Sequence, residues 1–270
     1  MEDFSKYNGE GTDLRKAQLR MLDILIEVDK ILRKHDIEYW LDSGTLIGAV
    51  RHGGFIPWDD DIDICILEKD YKRLCCALIN ELPEYYMLCN TDTDPYFFDC
   101  YCRVKDTRTY CDYPLFSKQK SQGLWVDIIT HIPATSKKYK RFGEFIYGRV
   151  FREIHNYSIS KGLSRKRCLF NKIFAYLLLP LAYCLKFLGN ISARLTNSRE
   201  LMPSWSISFN SRRNIGDIFP VKEIAFEDKF FYAPNNVDSY LRKIYGDYMV
   251  IPPEEKREQI LDPTKIKFYD

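Results

Sequence analysis

The sequence predicts an α+β fold in which a mixed sheet is flanked by helices. Three features indicate this fold: an amphipathic pattern over residues 13–35, an alternation of helices and strands that continues to residue 82, and several strand-forming runs between residues 85 and 130. The chain has 270 residues, of which 46% are hydrophobic and 29% are charged. This composition is typical of a globular protein, and the length allows one large domain or one domain with an appendage.

The first part of the chain alternates helices and strands. The predicted elements are a helix over residues 13–35, a strand over 37–41, a short helix over 46–50, a strand over 61–67 and a helix over 69–82. The first helix follows from apolar residues at helical spacing, with Thr12 or Asp13 available to cap its start. The strand over 61–67 follows because acidic and apolar side chains alternate before the run becomes uniformly apolar.

Strands dominate the next part of the chain. Residues 101–104 and 124–130 are rich in β-forming side chains, and the second run carries one acid, Asp127, among apolar neighbours. Near the C-terminus, residues 224–232 predict a hairpin and residues 238–245 predict a helix. We therefore expect the C-terminal part to add strands and a helix to the same fold.

A basic and apolar segment separates these two parts. We expect a core domain over residues 1–136, a helical insertion over 137–195 and a C-terminal part over 196–270 that completes the core. Within the insertion, Lys and Arg outnumber the acids, and an apolar run follows that only Pro180 interrupts. This run is shorter than the ~20 residues that a bilayer span needs. Two interpretations stay open: a helix that lies on an anionic membrane surface, and a buried helical hairpin bent at Pro180.

Charge and cysteine content exclude several classes of protein. The formal net charge is +2 and no basic stripe accompanies it, so we expect no nucleic-acid partner. The nine cysteines are odd in number and form no CxxC pair, which argues against a disulfide framework or a zinc ribbon. The polar N-terminus lacks the apolar core of a signal peptide. We expect a cytoplasmic protein, located at the inner face of the membrane if the basic segment binds lipid.

Acidic residues cluster at the start of the strand over residues 61–67. Side chains two positions apart in a strand share a face, so Asp61 and Asp63 point together, and Asp59 joins them if the strand begins earlier. Adjacent carboxylates repel each other unless a cation lies between them. We therefore predict Mg²⁺ or Mn²⁺ bound by Asp61, Asp63 and Asp127, with Asp59 or Asp60 as a catalytic base. A solvated acidic loop is the alternative, but these acids run into an apolar strand.

A predicted anion site precedes the acids. Ser43, Gly44 and Thr45 follow a strand and begin a short helix, so their backbone N–H groups can face a phosphate, and Thr45 adds a hydroxyl. Arg51 could bind a phosphate in bidentate fashion, and His52 could bind phosphate or exchange a proton. Both residues could equally stabilise the glycine turn that follows. A phosphate cradle followed by metal-binding acids is the arrangement of nucleotidyltransferases.

Two consecutive segments carry a family resemblance. Residues 39–52 (YWLDSGTLIGAVRH) and 55–63 (FIPWDDDID) resemble the LicD family, to which phosphocholine transferases of lipopolysaccharide and teichoic acid belong. Weaker similarity covers residues 123–133, around Asp127, and residues 230–248. The resemblance extends over most of the chain, except for the basic and apolar insertion.

The resemblance implies a nucleotidyltransferase-like fold with Mg²⁺ at Asp61 and Asp63. It also implies transfer of a phospho-alcohol, with CDP-choline as the usual donor and a surface glycan or lipopolysaccharide as the acceptor. Gly44 and Thr45 would then hold the leaving phosphate while an acceptor hydroxyl attacks in line. An aromatic cage would hold the choline ammonium. The aromatic residues available for it are Trp58, Trp125, Tyr96, Phe97 and Phe98, although packing in the core accounts for most of them.

Three other functions share these motifs. A glycosyltransferase could use the acids to hold a sugar nucleotide, but such enzymes place a nucleotide-binding half ahead of the acids. A nucleotidyltransferase would attach the nucleotide itself to the glycan. An inactive relative would bind glycan or membrane without turnover, although the full set of acids argues against this.

Overall fold

A computed structural model describes residues 3–205, 207, 211–257 and 259–269 of the chain. The helices are α1 Ser5–Asn8, α2 Asp13–Lys34, α3 Ser43–His52, α4 Tyr71–Glu81, α5 Lys137–Ile154, α6 Tyr157–Ser160, α7 Arg165–Leu195, α8 Ile215–Ile218 and α9 Val237–Tyr245. The strands are β1 Tyr39–Leu41, β2 Asp63–Leu67, β3 Tyr86–Cys89, β4 Cys102–Asp106, β5 Thr109–Tyr110, β6 Trp125–Pro133, β7 Glu200–Pro203, β8 Arg213–Asn214, β9 Lys222–Phe226, β10 Lys229–Ala233 and β11 Lys267–Phe268.

The central sheet is mixed, as the sequence predicts. Its strand order is β1-β2-β6-β4-β3, and β7 pairs with the far end of β6 and with β8. Only β2 and β6 run parallel among these pairs, and the other ladders are antiparallel. The hairpin β9–β10 and the pair β5–β11 form two small separate sheets. The predicted α+β class, with helices flanking a mixed sheet, is therefore confirmed.

Helix α2 supplies much of the main hydrophobic core. Its apolar side chains, including Met21, Leu25 and Val28, are buried and pack in one cluster with residues of β1, β2, β4 and β6. Burial of an aliphatic side chain stabilises the fold by about 1.5–3 kcal/mol, which is why the helical spacing of these residues predicts the helix so well. The side chain of Thr12 accepts a hydrogen bond from the Arg15 N–H and caps the helix start.

Helix α3 begins earlier than its apolar residues indicate. It starts at Ser43, directly after β1, with Asp42 at the N-cap position. At its other end, Gly53 adopts a left-handed backbone (φ 71°) and donates its N–H to the carbonyl of Gly48. The Ser-Gly-Thr segment is therefore the first turn of a helix, and its peptide N–H groups lie at the positive end of the helix dipole.

The C-terminal part of the chain packs directly onto the core. Strand β7 pairs with β6, and α9 places Tyr240 beneath the start of α3. Tyr240 and Arg213 both hydrogen-bond the buried carboxylate of Asp42, which directly follows β1. The predicted hairpin and helix near the C-terminus are confirmed as β9–β10 and α9. The boundaries of the three predicted units stay a prediction.

The insertion forms a pair of long helices, α5 and α7, joined by the short helix α6. Helix α7 continues through Pro180 and is long and apolar enough to cross a membrane, by length and composition. Only 11% of its most apolar window is buried. The interpretation of this segment as a buried hairpin is therefore wrong, because most of its bulky apolar side chains face outward.

Candidate functional site

Four carboxylates converge at the start of the parallel strand pair. Asp63 begins β2 and lies directly opposite Asp127 of β6. Asp59 and Asp61 belong to the loop that enters β2, and the charges of Asp59, Asp61 and Asp127 all act on Asp63. The structure therefore brings together the four acids that the sequence predicts as catalytic.

One buried carboxylate oxygen in this cluster has no hydrogen-bond partner among the described residues, as expected for a cation ligand. Asp59 Oδ2 is buried and accepts no hydrogen bond from the described residues. A buried carboxylate oxygen without a partner is costly. One carboxylate oxygen from each of Asp59, Asp60 and Asp61 lies within 4.8 Å of the others. These oxygen ligands suit a hard divalent cation such as Mg²⁺, so the residues present fit the predicted metal.

Asp60 differs from its neighbours because it has a protein partner. Its Oδ2 accepts a hydrogen bond of 2.5 Å from the backbone N–H of Leu261, and only 2% of the residue is exposed. Asp60 therefore attaches the C-terminal segment to the acidic loop. Of the two residues that the sequence left undecided, Asp59 is the better candidate for the site.

Burial and mutual repulsion raise the pKa values of the clustered acids. The pKa of Asp61 is raised to about 7, first by burial and then by the charges of Asp127 and Asp60. Burial, followed by the charge of Asp61, raises the pKa values of Asp59 and Asp63 well above the usual range. A divalent cation would favour the ionised forms, so cation binding and proton release are coupled here.

Arg103 of β4 neutralises one of the acids. Its Nε donates to Asp127 Oδ1 at 2.5 Å, and Trp125 Nε1 donates to the other Asp127 oxygen at 3.0 Å. Asp127 thus has two protein donors, which makes it a weaker candidate metal ligand than Asp59. Its role as a ligand stays a prediction.

The guanidinium of Arg103 is surrounded by aromatic rings. Its central carbon lies 4.7–5.7 Å from the ring centroids of Phe97, Tyr101, Phe116 and Trp125. Phe97 and Trp125, two of the rings available for a choline cage, therefore contact the guanidinium of Arg103. Burial lowers the pKa of Arg103, but Asp127, Tyr101 and Asp99 together outweigh this effect and raise it, so the residue stays charged. Its buried Nη1 makes no hydrogen bond to the described residues and lies 3.8 Å from Asp99 Oδ2.

The first turn of α3 lies against the acids. A Cβ atom on Gly44 would lie 2.4 Å from Asp59 Oδ2, so the helix start and the carboxylate are in close contact. Thr45 Oγ1 accepts a hydrogen bond of 2.9 Å from the Asp63 N–H, which fixes the start of β2. Ser43, at φ 51°, adopts a left-handed backbone that few non-glycine residues use. The peptide N–H groups of this turn remain the predicted phosphate cradle.

Arg51, His52 and Trp58 all have protein partners. Arg51 donates to the carbonyls of Tyr248 and Val250 and from its Nε to His52 Nε2. Burial, with a smaller effect of Arg51, lowers the pKa of His52 to about 4, so its imidazole is neutral at pH 7. His52 is therefore a poor proton donor there.

Trp58 is buried in a separate aromatic cluster. Its ring contacts Phe4, Tyr7 and His52, and the Arg257 guanidinium lies 4.6 Å above it. These contacts account for Trp58 without a ligand. Substrate binding by Trp58, Arg51 and His52 stays a prediction.

Sequence reasoning missed two buried arginines near the site. Arg103 had a detectable signal, since it is one basic residue inside the apolar strand-forming run 101–104. Arg213, which pairs with Asp42, had none, because it lies 171 residues away in an irregular stretch.

Replacement of Gly44 by Ala should impair the site without unfolding the protein. The new methyl group would displace the Asp59 carboxylate, and a shift of about 1 Å in a catalytic group can cost roughly 10²-fold in rate. The turnover of Gly44→Ala should therefore fall while its melting temperature stays close to wild type. Gly216→Ala is the matched control, because no atom lies within 4 Å of its added Cβ. Full activity of Gly44→Ala would contradict the close contact.

Comparison with known proteins identifies a family that this chain resembles. Residues 36–156 match the family described as LicD/FKTN/FKRP, nucleotidyltransferase domain. Over 91% of the chain and 94% of the relative, the sequence is 29% identical to the lipopolysaccharide cholinephosphotransferase LicD of Haemophilus influenzae.

Two human relatives match over shorter segments. The ribitol 5-phosphate transferase FKRP is 48% identical over 40 residues, which cover 15% of this chain and 8% of the relative. The ribitol-5-phosphate transferase FKTN is 35% identical over 63 residues, which cover 23% of this chain and 13% of the relative. The matched domain, the near full-length relative and these shorter matches agree with one another: this chain is similar to the LicD family over residues 36–156 and to the Haemophilus influenzae relative over 91% of its length.

Proposed function

We propose that this chain transfers a phospho-alcohol group from a nucleotide-activated donor to a hydroxyl group of a glycan. Its relatives are named as a cholinephosphotransferase and as ribitol 5-phosphate transferases, so the chain is a phosphotransferase. CDP-choline is the proposed donor, because the relative that matches almost the whole chain is the cholinephosphotransferase. Lipopolysaccharide or a related surface polysaccharide is the proposed acceptor.

One observation carries this proposal: the carboxylates of Asp59, Asp61 and Asp63 meet next to the first turn of α3. The acids provide a cation site, and the helix start provides N–H donors for an anion. A donor diphosphate needs both of these features. The orphan oxygen of Asp59 supports the same conclusion, since a substrate-loaded cation would be its partner.

The proposed reaction breaks a phosphoanhydride bond and forms a phosphodiester. The acceptor oxygen attacks the phosphorus that carries the alcohol, CMP leaves, and the acceptor proton passes to a carboxylate or to solvent. Mg²⁺ or Mn²⁺, when bound by Asp59, Asp61 and Asp63, supplies positive charge that offsets the charge developing on the phosphate oxygens. The N–H groups of Gly44 and Thr45 would bind phosphate oxygens directly, and Arg103 would hold Asp127 in place beside them.

An assay of donor cleavage and product mass tests the proposal. The protein is incubated with Mg²⁺, CDP-choline and an extracted glycan, and CMP release and acceptor mass are followed. We expect CMP together with an acceptor that gains a phosphocholine mass. A gain of a nucleotide mass would indicate nucleotidyl transfer, and a requirement for a sugar nucleotide would indicate a glycosyltransferase. If CDP-choline gives no CMP, a panel that includes CDP-ribitol identifies the donor class.

Metal binding should stabilise the protein more at high pH than at low pH. A carboxyl whose pKa is raised in the folded state holds a proton that the unfolded chain has released, since an unfolded Asp has a pKa of about 3.9. Its contribution to stability is present below pH ~4 and is lost as the pH rises through the folded pKa, which is about 7 for Asp61. We therefore expect the metal-free protein to lose stability over this window and Mg²⁺ to restore it.

Thermal melts at pH 5.5 and pH 8 with and without Mg²⁺ measure this effect. At a Mg²⁺ concentration of about a hundred times Kd, the melting temperature should rise by roughly 5 °C at pH 8 and by much less at pH 5.5. NaCl at equal ionic strength is the salt control. An equal rise at both pH values, or an undiminished rise in Asp61→Asn/Asp63→Asn, would argue against metal binding by these acids.

A further inference from the structure

Helix α7 has an inverted distribution of side-chain sizes. The residues that it buries are small, namely Ala175, Ala182, Gly189 and Ala193. The bulky apolar residues point away from the protein, and Leu177, for example, is 72% exposed. A helix that packs onto a soluble core normally does the opposite, because large side chains gain most from burial. This distribution indicates that the outer face of α7 contacts another apolar phase.

The exposed residues form a continuous surface, which we call the α5–α7 apolar face. Its members are Leu169, Phe170, Ile173, Phe174, Tyr176, Leu177, Leu181, Tyr183, Phe187 and Leu188 of α7 and Phe145 of α5, each exposed by between 46% and 72%. A soluble monomer rarely exposes so many adjacent large apolar groups. Between residues 168 and 193, α7 carries only two charges, Lys172 and Lys186. Both are turned toward the protein, where they contact Asn156 and Glu68.

Positive charge surrounds this apolar face. Residues 136–195, all described by the structure, contain thirteen Lys and Arg against two acids, although the whole chain carries a net charge of only +2. Both acids are at least partly buried and have partners: Glu144 lies near Lys140, and Glu153 accepts a hydrogen bond from Ser158. The exposed basic residues are Lys137, Lys138, Arg141, Arg149, Lys161, Arg165, Lys166, Arg167 and Arg194. An apolar surface with a basic border matches a bilayer with anionic headgroups.

A groove between α5 and α7 shows the same combination on a smaller scale. It has a volume of about 310 Å³ and is lined by the apolar residues Phe145, Phe174 and Leu178, with Arg149 and Arg167 also contributing to the wall. An acyl chain fits the apolar part of such a groove, and two guanidinium groups can bind a phosphate.

Contacts along α7 favour a helix that lies in the membrane surface over one that crosses it. Lys172 near the start of α7 bonds to Asn156, the Tyr139 hydroxyl donates to the Leu185 carbonyl, and Trp205 bonds to Asn190 near the end. The inner side of α7 is thus attached to protein over most of its length. A crossing would have to separate it from α5, which carries charged residues along its whole length.

We propose that the α5–α7 apolar face docks the protein onto an anionic phospholipid bilayer, with α7 parallel to the membrane plane. The apolar side chains enter the region between headgroups and acyl chains, and the basic border contacts lipid phosphates. The carboxylate site of the core then works beside the membrane surface. Substrates attached to lipid would reach it there without leaving the bilayer.

Sedimentation with lipid vesicles tests this proposal on the full-length protein. We expect binding to vesicles of phosphatidylglycerol and phosphatidylcholine, and at least tenfold weaker binding to pure phosphatidylcholine or in 0.5 M NaCl. Leu177→Glu and the charge reversal Arg165→Glu/Lys166→Glu/Arg167→Glu should each reduce binding at least tenfold. Ile79→Glu is the matched control, since Ile79 is 59% exposed on α4, outside this face. Its binding should equal that of the wild type.

A tryptophan introduced into the α5–α7 apolar face measures how deeply α7 enters the bilayer. Fluorescence of Leu177→Trp should shift to shorter wavelength on vesicles and be quenched by lipids brominated near the headgroup more than by lipids brominated near the chain end. Stronger quenching at the chain end would instead indicate a spanning helix and overturn the parallel orientation. A different result would overturn the membrane proposal: the wild-type protein does not bind anionic vesicles but self-associates, whereas Leu177→Glu is monomeric. The face would then mediate contacts between copies of the chain.

Discussion

Asp61→Asn should lose transferase activity by roughly 10²–10³-fold, the usual cost of removing one electrostatic group that stabilises a transition state. The substitution keeps the size of the side chain but removes a charge from a cluster in which burial and neighbouring acids already raise the pKa of Asp61 to about 7. Loss of a repelling charge should leave the melting temperature of the metal-free protein unchanged or higher. A large loss of activity without a loss of stability is the signature of a functional acid.

Asp60→Asn is the matched control for this prediction. Asp60 is adjacent in sequence and is more deeply buried, but its carboxylate accepts the Leu261 N–H, and an Asn carbonyl can accept the same hydrogen bond. We expect most of the activity to remain in this variant. Steady-state CMP release and thermal melts of both variants measure the difference. Equal losses would mean that Asp60 also binds the cation, which the distance of at most 4.8 Å among Asp59, Asp60 and Asp61 permits.

The acids could be predicted from sequence because their signal is local. The spacing of Asp61 and Asp63 predicts that both side chains point the same way, although β2 starts only at Asp63 and Asp61 lies in the loop before it. Asp127 is conspicuous as one acid in an apolar run. The pairing of Asp63 with Asp127 required the sheet register, which local patterns do not contain. The long helices α2 and α7 follow from apolar periodicity and length, whereas the start of α3 at Ser43 depends on where β1 ends.

The partners of the acids could not be predicted, because they come from distant parts of the chain. Arg103 reaches Asp127 across the β4–β6 ladder, and Leu261 reaches Asp60 from 201 residues away. The outward orientation of α7 was also undetermined, since an apolar run predicts burial in protein and burial in lipid equally well. The small residues that α7 buries against the protein distinguish burial in lipid from burial in protein, and only the structure shows which residues those are.

Arg213→Met should destabilise the protein by about 3–5 kcal/mol, the usual cost of removing one partner from a buried ion pair. Arg213 Nη2 lies 2.6 Å from Asp42 Oδ2, and the two side chains are 5% and 1% exposed. Burial is the largest single effect and raises the pKa of Asp42, but the charges of Arg213 and His131 and the hydrogen bond from Tyr240 together keep the pKa below its usual value. Without Arg213, the Asp42 carboxylate is left buried with the Tyr240 hydroxyl and the Cys65 thiol as its remaining donors. Urea denaturation measures the loss of stability.

Two further variants separate this buried pair from an ordinary surface charge. Arg242→Met removes a pair with Asp238 in which the side chains are 52% and 60% exposed, so it should leave the urea midpoint close to that of the wild type. Asp42→Asn/Arg213→Met should be more stable than Arg213→Met alone, because the double variant leaves no unpaired charge in the core. If the double variant were the less stable one, the hydrogen bonds from Tyr240 and Cys65 to the Asp42 carboxylate would contribute more to stability than the ion pair with Arg213. Since Asp42 is the N-cap residue of α3, a loss of this anchor should also loosen the helix start that faces Asp59, and activity should fall at urea concentrations below those that unfold the whole chain.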